Sequence, residues 1–427
     1  MKIVGLIAEY NPFHNGHQYH ISKALEMTGS DAAVVLMSGN FVQRGTPAIM
    51  PKYLRAEAAL KCGASAVFEL PVCFACGSAE YFAGGALSIF ESLGCIDSLC
   101  FGSECGDFEK LSRIARIFTE EPEEFRGFLV GFLRKGLSFP AARQKALLAY
   151  TQDEELCRIL ELPNNTLGIE YLKAIYRTGS HIRPYTLKRL ESGYHDEELA
   201  ENYSSASAIR RLLAHTVNSL DLVQDTAYDE PRLNEILTRL EDHVPPSCIR
   251  LLEENYRIRY PVYANDFSLL LKHRLLNETA QSLTVYADVT PDLANRIYNY
   301  RNALLTWEQF CDLLKTKEVT RSRISRMLLH ILLNIRQTDM EAYAADGFSE
   351  YVRLLGFTKS DSPVLKELKT HTRIPIISKL ANAKGLTLTG IHMLDTDTYA
   401  ADLYESVITD KYNYPFINEF EQRIRVV

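Results

Sequence analysis

Glu9-Tyr10-Asn11-Pro12-Phe13-His14-Asn15-Gly16-His17 decides the reading of this chain. It follows an apolar run, Lys2–Ala8, that reads as a first buried strand, and opens Gly16–Met27, which has the apolar spacing of an amphipathic helix. A strand-to-helix turn gathers unpaired backbone N–H groups and the positive end of a helix at one point, which favours bound phosphate. Gly16 leaves the backbone bare where a nucleotide would approach. His14 and His17 are three apart, so at a helix entrance they point the same way. Two such imidazoles offer hydrogen bonds to phosphate oxygens that gain charge during attack at phosphorus. Losing one donor of this kind costs on the order of 10²–10³ in rate. A nucleophile that is already an anion needs no base. A metal pair or incidental surface histidines are the alternatives, and bare HxGH is a weak pattern. Behind Pro12-Phe13 at the end of a first strand it becomes specific, and neither GxxxxGK with Ser or Thr nor GxGxxG occurs in the chain.

Outward from this point, the first 215 residues alternate short apolar runs with helical stretches. Lys2–Ala8, Asp31–Ser38, Ala64–Leu70, Ile96–Phe101 and His181–Leu187 read as strands. Gly16–Met27, Pro51–Cys62, Ser78–Leu93 and several segments from Asp107 to Thr178 read as helices. This alternation predicts βαβ crossovers and an α/β fold with a doubly wound parallel sheet. The strands are near-continuous Val/Ile/Leu runs, as sheets covered on both faces require. Such sheets bind ligands at the carboxyl ends of their strands. After about residue 216, Leu220–Glu254, Phe267–Leu276, Pro291–Leu305 and Arg321–Ile335 carry helical spacing, broken at Pro245-Pro246 and Tyr260-Pro261. From about Gly347, the short elements Tyr351–Phe357, Pro363–Leu368 and Ile374–Ile377 precede a terminal helix, Ala401–Tyr412. The expected division is a catalytic nucleotide-binding domain at 1–215, a mainly helical domain at 216–345 and a small mixed C-terminal segment at 346–427. A length of 427 residues suits two or three domains.

Composition narrows the function. Lys plus Arg number 47 against 54 Asp plus Glu, a net charge of −7, which excludes indiscriminate coating of nucleic acid but not a local basic patch. With 46% hydrophobic and 24% charged residues, the chain is an ordinary folded globule. No run of about 18 apolar residues predicts a membrane span, and the N-terminus lacks the long apolar stretch of a signal peptide. A soluble cytoplasmic protein is expected. The 9 Cys are irregularly spaced, and Cys73 and Cys76 form one CxxC with no second pair at zinc spacing. Buried free thiols are the better reading, and no bound metal is expected.

A second element fits the same site. Tyr203-Ser204-Ser205-Ala206-Ser207-Ala208-Ile209-Arg210 sets hydroxyls at a helix start and an Arg one turn in. Ser205, Ser207 and Arg210 suit the far phosphates of a nucleotide. A plain N-cap with a solvated Arg is the alternative. Gln43 and Arg44 sit in a glycine-bounded loop and read equally as substrate-proximal or as a surface turn. Lys315, Lys317, Arg321, Arg323 and Arg326 form the densest local basic cluster, either a solvated helix face or an RNA contact. Asp395 and Asp397 read as a loop carboxylate pair, with Mg²⁺ ligation the alternative.

HxGH with a late Ser-rich turn ending in Arg resembles the nucleotidylyltransferase superfamily. The fuller string through His17, with Ser38-Gly39-Asn40-Phe41-Val42-Gln43-Arg44-Gly45, resembles one family within it, the tRNA(Met) cytidine acetate ligases. Phe101-Gly102-Ser103-Glu104, Pro163-Asn164-Asn165-Thr166-Leu167-Gly168 and Arg189 before Gly193-Tyr194-His195-Asp196 add to it. The superfamily's late motif reads Ile-Ser-Ser-Thr-x-x-Arg, and here one hydroxyl is missing and Ser replaces Thr. The resemblance implies a Rossmann-like nucleotidylyltransferase fold. It implies an enzyme that condenses ATP and acetate to acetyl-adenylate, then passes the acetyl group to N4 of the wobble cytidine (C34) of elongator tRNA(Met). ATP, acetate and that tRNA are the implied ligands, with Mg²⁺ carried by the nucleotide. The implied ATP site spans Ile7, Ala8, Glu9, Tyr10, Asn11, Pro12, Phe13, His14, Asn15, Gly16, His17, Gln18, Tyr19 and His20, completed by Gly102, Asn165 and Arg189, with His14 and His17 catalytic. A small-metabolite adenylyltransferase and a non-catalytic RNA-binding relative are the competing readings.

Overall fold

The computed structural model describes residues 1–189, 205–214, 230–316 and 319–427. Ten strands appear among them: β1 (Ile3–Ala8), β2 (Ala32–Ser38), β3 (Phe41–Val42), β4 (Thr46–Pro47), β5 (Ala66–Leu70), β6 (Ser98–Ser103), β7 (Arg183–Lys188), β8 (Val352–Phe357), β9 (Ile376–Ile377) and β10 (Arg425–Val426). The main sheet runs β10-β8-β5-β2-β1-β6-β7, with β9 alongside β8. Every neighbouring pair in it is parallel except β5 with β8. Each residue of β2 and β5 is buried, Glu69 included, the state that near-continuous apolar strands reach when helices cover both faces. The doubly wound sheet expected from the sequence is therefore present, and its helices Asn15–Thr28, Lys52–Lys61 and Ala79–Leu93 fall within a residue or so of their expected bounds.

The C-terminal tract does not stand apart. β8 and β10 extend the same sheet, and β8 enters antiparallel beside β5 with Phe68 opposite Leu354. A buried charge network fastens it there. Lys52 Nζ lies 2.8 Å from Glu69 and 2.7 Å from Glu419, and Arg353 lies 2.8 Å from Glu419. Tyr53 adds its hydroxyl, donated to Glu419 at 3.0 Å. Opposite charges offset one another's desolvation here, so burial's pull on Lys52 is overcome by Glu419 and Glu69, which hold its ammonium charged. The terminal helix runs Leu388–Tyr412, starting thirteen residues earlier than the sequence suggested. The extra turns hold Asp395-Thr396-Asp397-Thr398, poor helix formers by themselves, and burial of Met393, Leu394 and Asp397 stabilises them.

The helical region contributes Pro246–Asn255, Ser268–Leu276, Pro291–Tyr300, Trp307–Leu314, Arg321–Leu333 and Gln337–Ala345. Of Leu220–Glu254, residues 220–229 lie outside the described residues, and the rest splits into Glu230–Leu240 and Pro246–Asn255. Arg321–Leu333 is packed against the sheet domain. His330 places one ring nitrogen 3.0 Å from the Cys76 carbonyl and the other 3.0 Å from that of Ala287. Among the described residues, no helix is long and apolar enough to cross a membrane.

Candidate functional site

The sheet order turns around between β1 and β6, which flank each other although the chain passes through β2 and β5 in between. Their carboxyl ends open the crevice where doubly wound folds hold ligands. The Glu9–His17 stretch leaves β1 at that crevice, and its turn is fixed by long-range hydrogen bonds. Asn11 Oδ1 accepts the Ile49 N–H at 2.8 Å, and Asn15 donates its N–H to the His243 carbonyl at 2.9 Å. Tyr10 and Phe13 form a buried aromatic floor, ring centroids 4.8 Å apart.

His14 is the N-cap of Asn15–Thr28. Its Nδ1 accepts the Gly16 N–H at 3.1 Å, and its own N–H donates to His17 Nδ1 at 3.3 Å. Both Nδ1 atoms thus act as acceptors, so each neutral ring carries its proton on Nε2. The rings stack at 3.7 Å between centroids. Burial above all, then Arg189 and Arg210, pushes His14 down to about 3. Burial, then the neighbouring His14 and Arg189, holds His17 well below the ordinary histidine value. Near neutrality the pair is two uncharged donors at the positive end of a helix. At Gly16 a Cβ would meet His14 Cε1 at 2.9 Å, so the bare backbone makes room for the His14 ring.

Arg210 donates from Nη1 to the Asn11 carbonyl at 2.5 Å and from Nη2 to Ser207 Oγ at 3.0 Å, which joins the late Ser-rich element to the first motif. Ser205 Oγ caps its helix by accepting the Ala208 N–H at 3.1 Å. Arg189 lies over Gly102, where an added Cβ would come 3.3 Å from Arg189 Cγ. Its charge reaches His14, His17 and His20. His20, a turn beyond His17, is lowered to about 4 by burial and then by Arg189, and its Nε2 is buried with no hydrogen-bond partner. Arg44 and Arg210 both sense the charge of Glu9. Arg189 and Arg210 therefore flank the imidazole pair, with Arg44 near Arg210 and Glu9 as a nearby counter-charge.

Other sequence candidates take different places. Asn165 is wholly buried and its amide is committed, accepting the Cys105 N–H at 3.1 Å and donating to the Ile159 carbonyl at 3.1 Å. It props the loop after β6. Gln18 is exposed, and Gln43 meets Glu9 through its backbone N–H at 2.9 Å. In the basic cluster, Lys317 lies outside the described residues and Lys315 is exposed. Arg321 is paired with Asp312 at 3.0 Å, and Arg326 turns inward with Nε 3.5 Å from Asp288. Arg323 is half-buried on the same helix. Asp395 and Asp397 are not a loop pair: both lie in Leu388–Tyr412, Asp395 exposed and Asp397 buried, accepting the Val72 N–H at 2.7 Å and the Tyr351 hydroxyl at 2.5 Å. Cys73 and Cys76 are buried free thiols pushed up by burial, and among the described residues no cluster suits a metal ion.

One residue of the site escaped the sequence. Arg55, 1% exposed, donates to the carbonyls of Glu9 (2.5 Å), Ser38 (3.1 Å), Met50 (3.0 Å) and Gly39. It clamps the carboxyl ends of β1 and β2 in register. Its only signal was a cation on the buried face of an amphipathic helix.

The family described as HIGH Nucleotidyl Transferase matches residues 1–417. A tRNA(Met) cytidine acetate ligase of Acetivibrio thermocellus is 38% identical over 95% of this chain and 94% of its own length. One of Caldanaerobacter subterraneus subsp. tengcongensis is 39% identical over 95% of both chains. Two crystal structures of Thermotoga maritima TmcAL, apo and bound with alpha-thio ATP, superpose with TM-scores of 0.90 and 0.88 at 30% identity over 100% of both chains. With the imidazole pair seated at the switch point of a doubly wound sheet, the chain belongs to the tRNA(Met) cytidine acetate ligase family, within the HIGH nucleotidyl transferases.

Proposed function

We propose that the protein is an ATP-dependent acetate ligase that forms acetyl-AMP and transfers the acetyl group to N4 of the wobble cytidine (C34) of elongator tRNA(Met), giving N4-acetylcytidine. The observation that carries this reading is the pair of neutral imidazoles, each with Nδ1 tied to a backbone N–H and Nε2–H left to donate. A carboxylate oxygen of acetate attacks the α-phosphorus, an O–P bond forms, and the bond to the β-phosphate oxygen breaks to release diphosphate. His14 and His17 donate to oxygens that gain charge as this happens, while the Asn15–Thr28 helix terminus favours the same charge. Neither ring is asked for a proton-accepting role, and acetate, already ionised, needs none.

Arg189, Arg210 and Arg44 supply positive charge for the triphosphate, and Ser205 and Ser207 line the approach to its far end. Mg²⁺ arrives on the nucleotide, held mainly by phosphate oxygens. In the second step, N4 attacks the acetyl carbon, the mixed anhydride's C–O bond breaks, AMP leaves, and the nitrogen's proton passes to solvent or to the departing phosphate. Water must be kept out, since it would hydrolyse the adenylate. The RNA is positioned by phosphate contacts from the helical region, with Lys315, Lys317, Arg321 and Arg323 as proposed contributors, whereas Arg326 is turned toward Asp288. The discriminating experiment incubates protein with ATP, labelled acetate and tRNA(Met). Label in cytidine 34 supports the ligase. Acetyl-AMP without RNA labelling would favour a metabolite-charging enzyme, and RNA binding without acetate-dependent AMP release would favour a non-catalytic relative.

A further inference from the structure

Gln43-Arg44-Gly45 is the tip of a hairpin: β3 and β4 pair antiparallel with Val42 opposite Thr46. Gly45, at φ +73°, closes the tip by donating its N–H to the Val42 carbonyl at 2.8 Å, the geometry of a three-residue loop ending in a left-handed residue. The tip is pinned on both flanks. On one side the Gln43 N–H holds Glu9 Oε1 at 2.9 Å, in the segment that leads to His14. On the other, the Gly45 carbonyl accepts the Ser325 hydroxyl at 2.8 Å. Here the hairpin lies directly on the backbone of Arg321–Leu333, since a Cβ on Gly45 would fall 2.3 Å from Arg326 N. Ser325 Oγ is itself oriented by the indole N–H of Trp307, the single tryptophan of the chain, at 3.1 Å, and both side chains are buried. Arg44 is the exposed apex between the pins, close enough to Glu9 and Arg210 for their charges to interact.

We propose that Ser325 is a positioning residue for adenylation: holding the Gly45 carbonyl from the helical region, it aims Arg44 at the polyphosphate of bound ATP. The Trp307–Ser325–Gly45 chain thus ties the region proposed to meet RNA to the geometry of the first chemical step. The inference rests on the adenylate-forming reading above. Its test is acetate-dependent exchange of labelled pyrophosphate into ATP, without RNA, by wild type, Ser325→Ala, Arg44→Ala and the double variant. Arg44→Ala should lower kcat on the order of 10²-fold, as loss of a charge-stabilising donor does. Ser325→Ala should lower it about tenfold with the ATP KM moved by less than about threefold, and the double variant should match Arg44→Ala within about twofold, because residues acting through one group are not additive. Ser325→Cys keeps the packing with a weaker donor and should fall between wild type and Ser325→Ala. Losses that multiply in the double variant, or wild-type turnover in Ser325→Ala or Ser325→Cys, overturn the positioning role alone. A wild-type protein without exchange overturns the adenylate-forming reading instead.

Discussion

Gly16→Ala separates the stability of the HxGH turn from its chemistry. The new Cβ would lie 2.9 Å from His14 Cε1 and 3.1 Å from Nδ1, while ordinary contact begins near 3.4 Å. The ring must therefore retreat by roughly 0.5 Å, the difference between 3.4 and 2.9 Å. It cannot do so freely, because His17 stacks on it at 3.7 Å and the Gly16 N–H holds its Nδ1. Two effects on stability oppose each other: Ala gains about 1 kcal/mol over Gly within a helix, and the lost hydrogen bond costs about 1 kcal/mol. Melting should thus stay within about 2–4 °C of wild type. Catalysis has no such compensation, since displacement of a donor from the growing phosphate charge costs on the order of 10- to 100-fold in rate. Pyrophosphate exchange and thermal melting, measured together, give the answer. Exchange within threefold of wild type would refute the argument that Gly16 exists to seat His14, and so would a large melting loss, which would make the turn's role structural.

Acidification should unfold the protein from the histidine side. His14 sits at about 3 in the folded state against 6.5 unfolded, so below pH 6.5 the unfolded chain binds more protons and stability falls with pH. That single ring accounts for about 2 kcal/mol by pH 5; denaturant midpoints that hold steady from pH 7 to pH 5 would contradict it. The exchange rate should show no histidine titration between pH 8 and 6. Arg55→Lys leaves carbonyls of Glu9, Ser38, Gly39 and Met50 short of a donor, each worth about 1–3 kcal/mol when buried, and a denaturant midpoint near wild type would show the clamp to be dispensable. Glu419→Gln strips the charge that Lys52 and Arg353 share, and should cost about 3–5 kcal/mol by urea titration. Because Cys73 and Cys76 are buried protonated thiols, prolonged chelation should leave the melting temperature unchanged; a fall would reveal a bound metal.

The sequence made the sheet domain legible because its signals are local. β1, β2 and β5 are near-continuous apolar runs, interrupted in β5 by Glu69, and the helices after them carry clear spacing and caps such as His14 and Ser78. The imidazole pair was readable for the same reason: three residues of spacing at a strand end fix both rings. What stayed hidden depends on partners far along the chain. Tyr351–Phe357 reads only as a short element, and nothing local says that it enters the first sheet beside Phe68, where Arg353 meets Glu69 and Glu419. The β3–β4 hairpin is only two residues per strand and owes its place to Ser325, some 280 positions later. What Asn165 holds within the chain, the Cys105 N–H and the Ile159 carbonyl, likewise depends on residues that its own stretch of sequence does not name.

The charge arrangement explains why the site uses uncharged rings beside arginines. A triphosphate is already a strong anion in the ground state, so on the proposed reading Arg189, Arg210 and Arg44 would attract it before and after reaction nearly equally, and contacts of that kind lower KM more than they raise kcat. The surplus charge of the transition state is small and confined to oxygens around the α-phosphorus. A donor fixed in place and free of its own charge answers that increment without gripping the diphosphate product as tightly as a fourth cation would. Burial and the nearby arginines keep His14 and His17 neutral, and the backbone N–H of Gly16 and that of His14 fix which nitrogen bears the proton. Substitution of His14 by Lys would restore charge and lose this discrimination: nucleotide binding should tighten or hold while exchange collapses, and a variant that kept its turnover would show that charge alone, not a positioned neutral donor, drives the step.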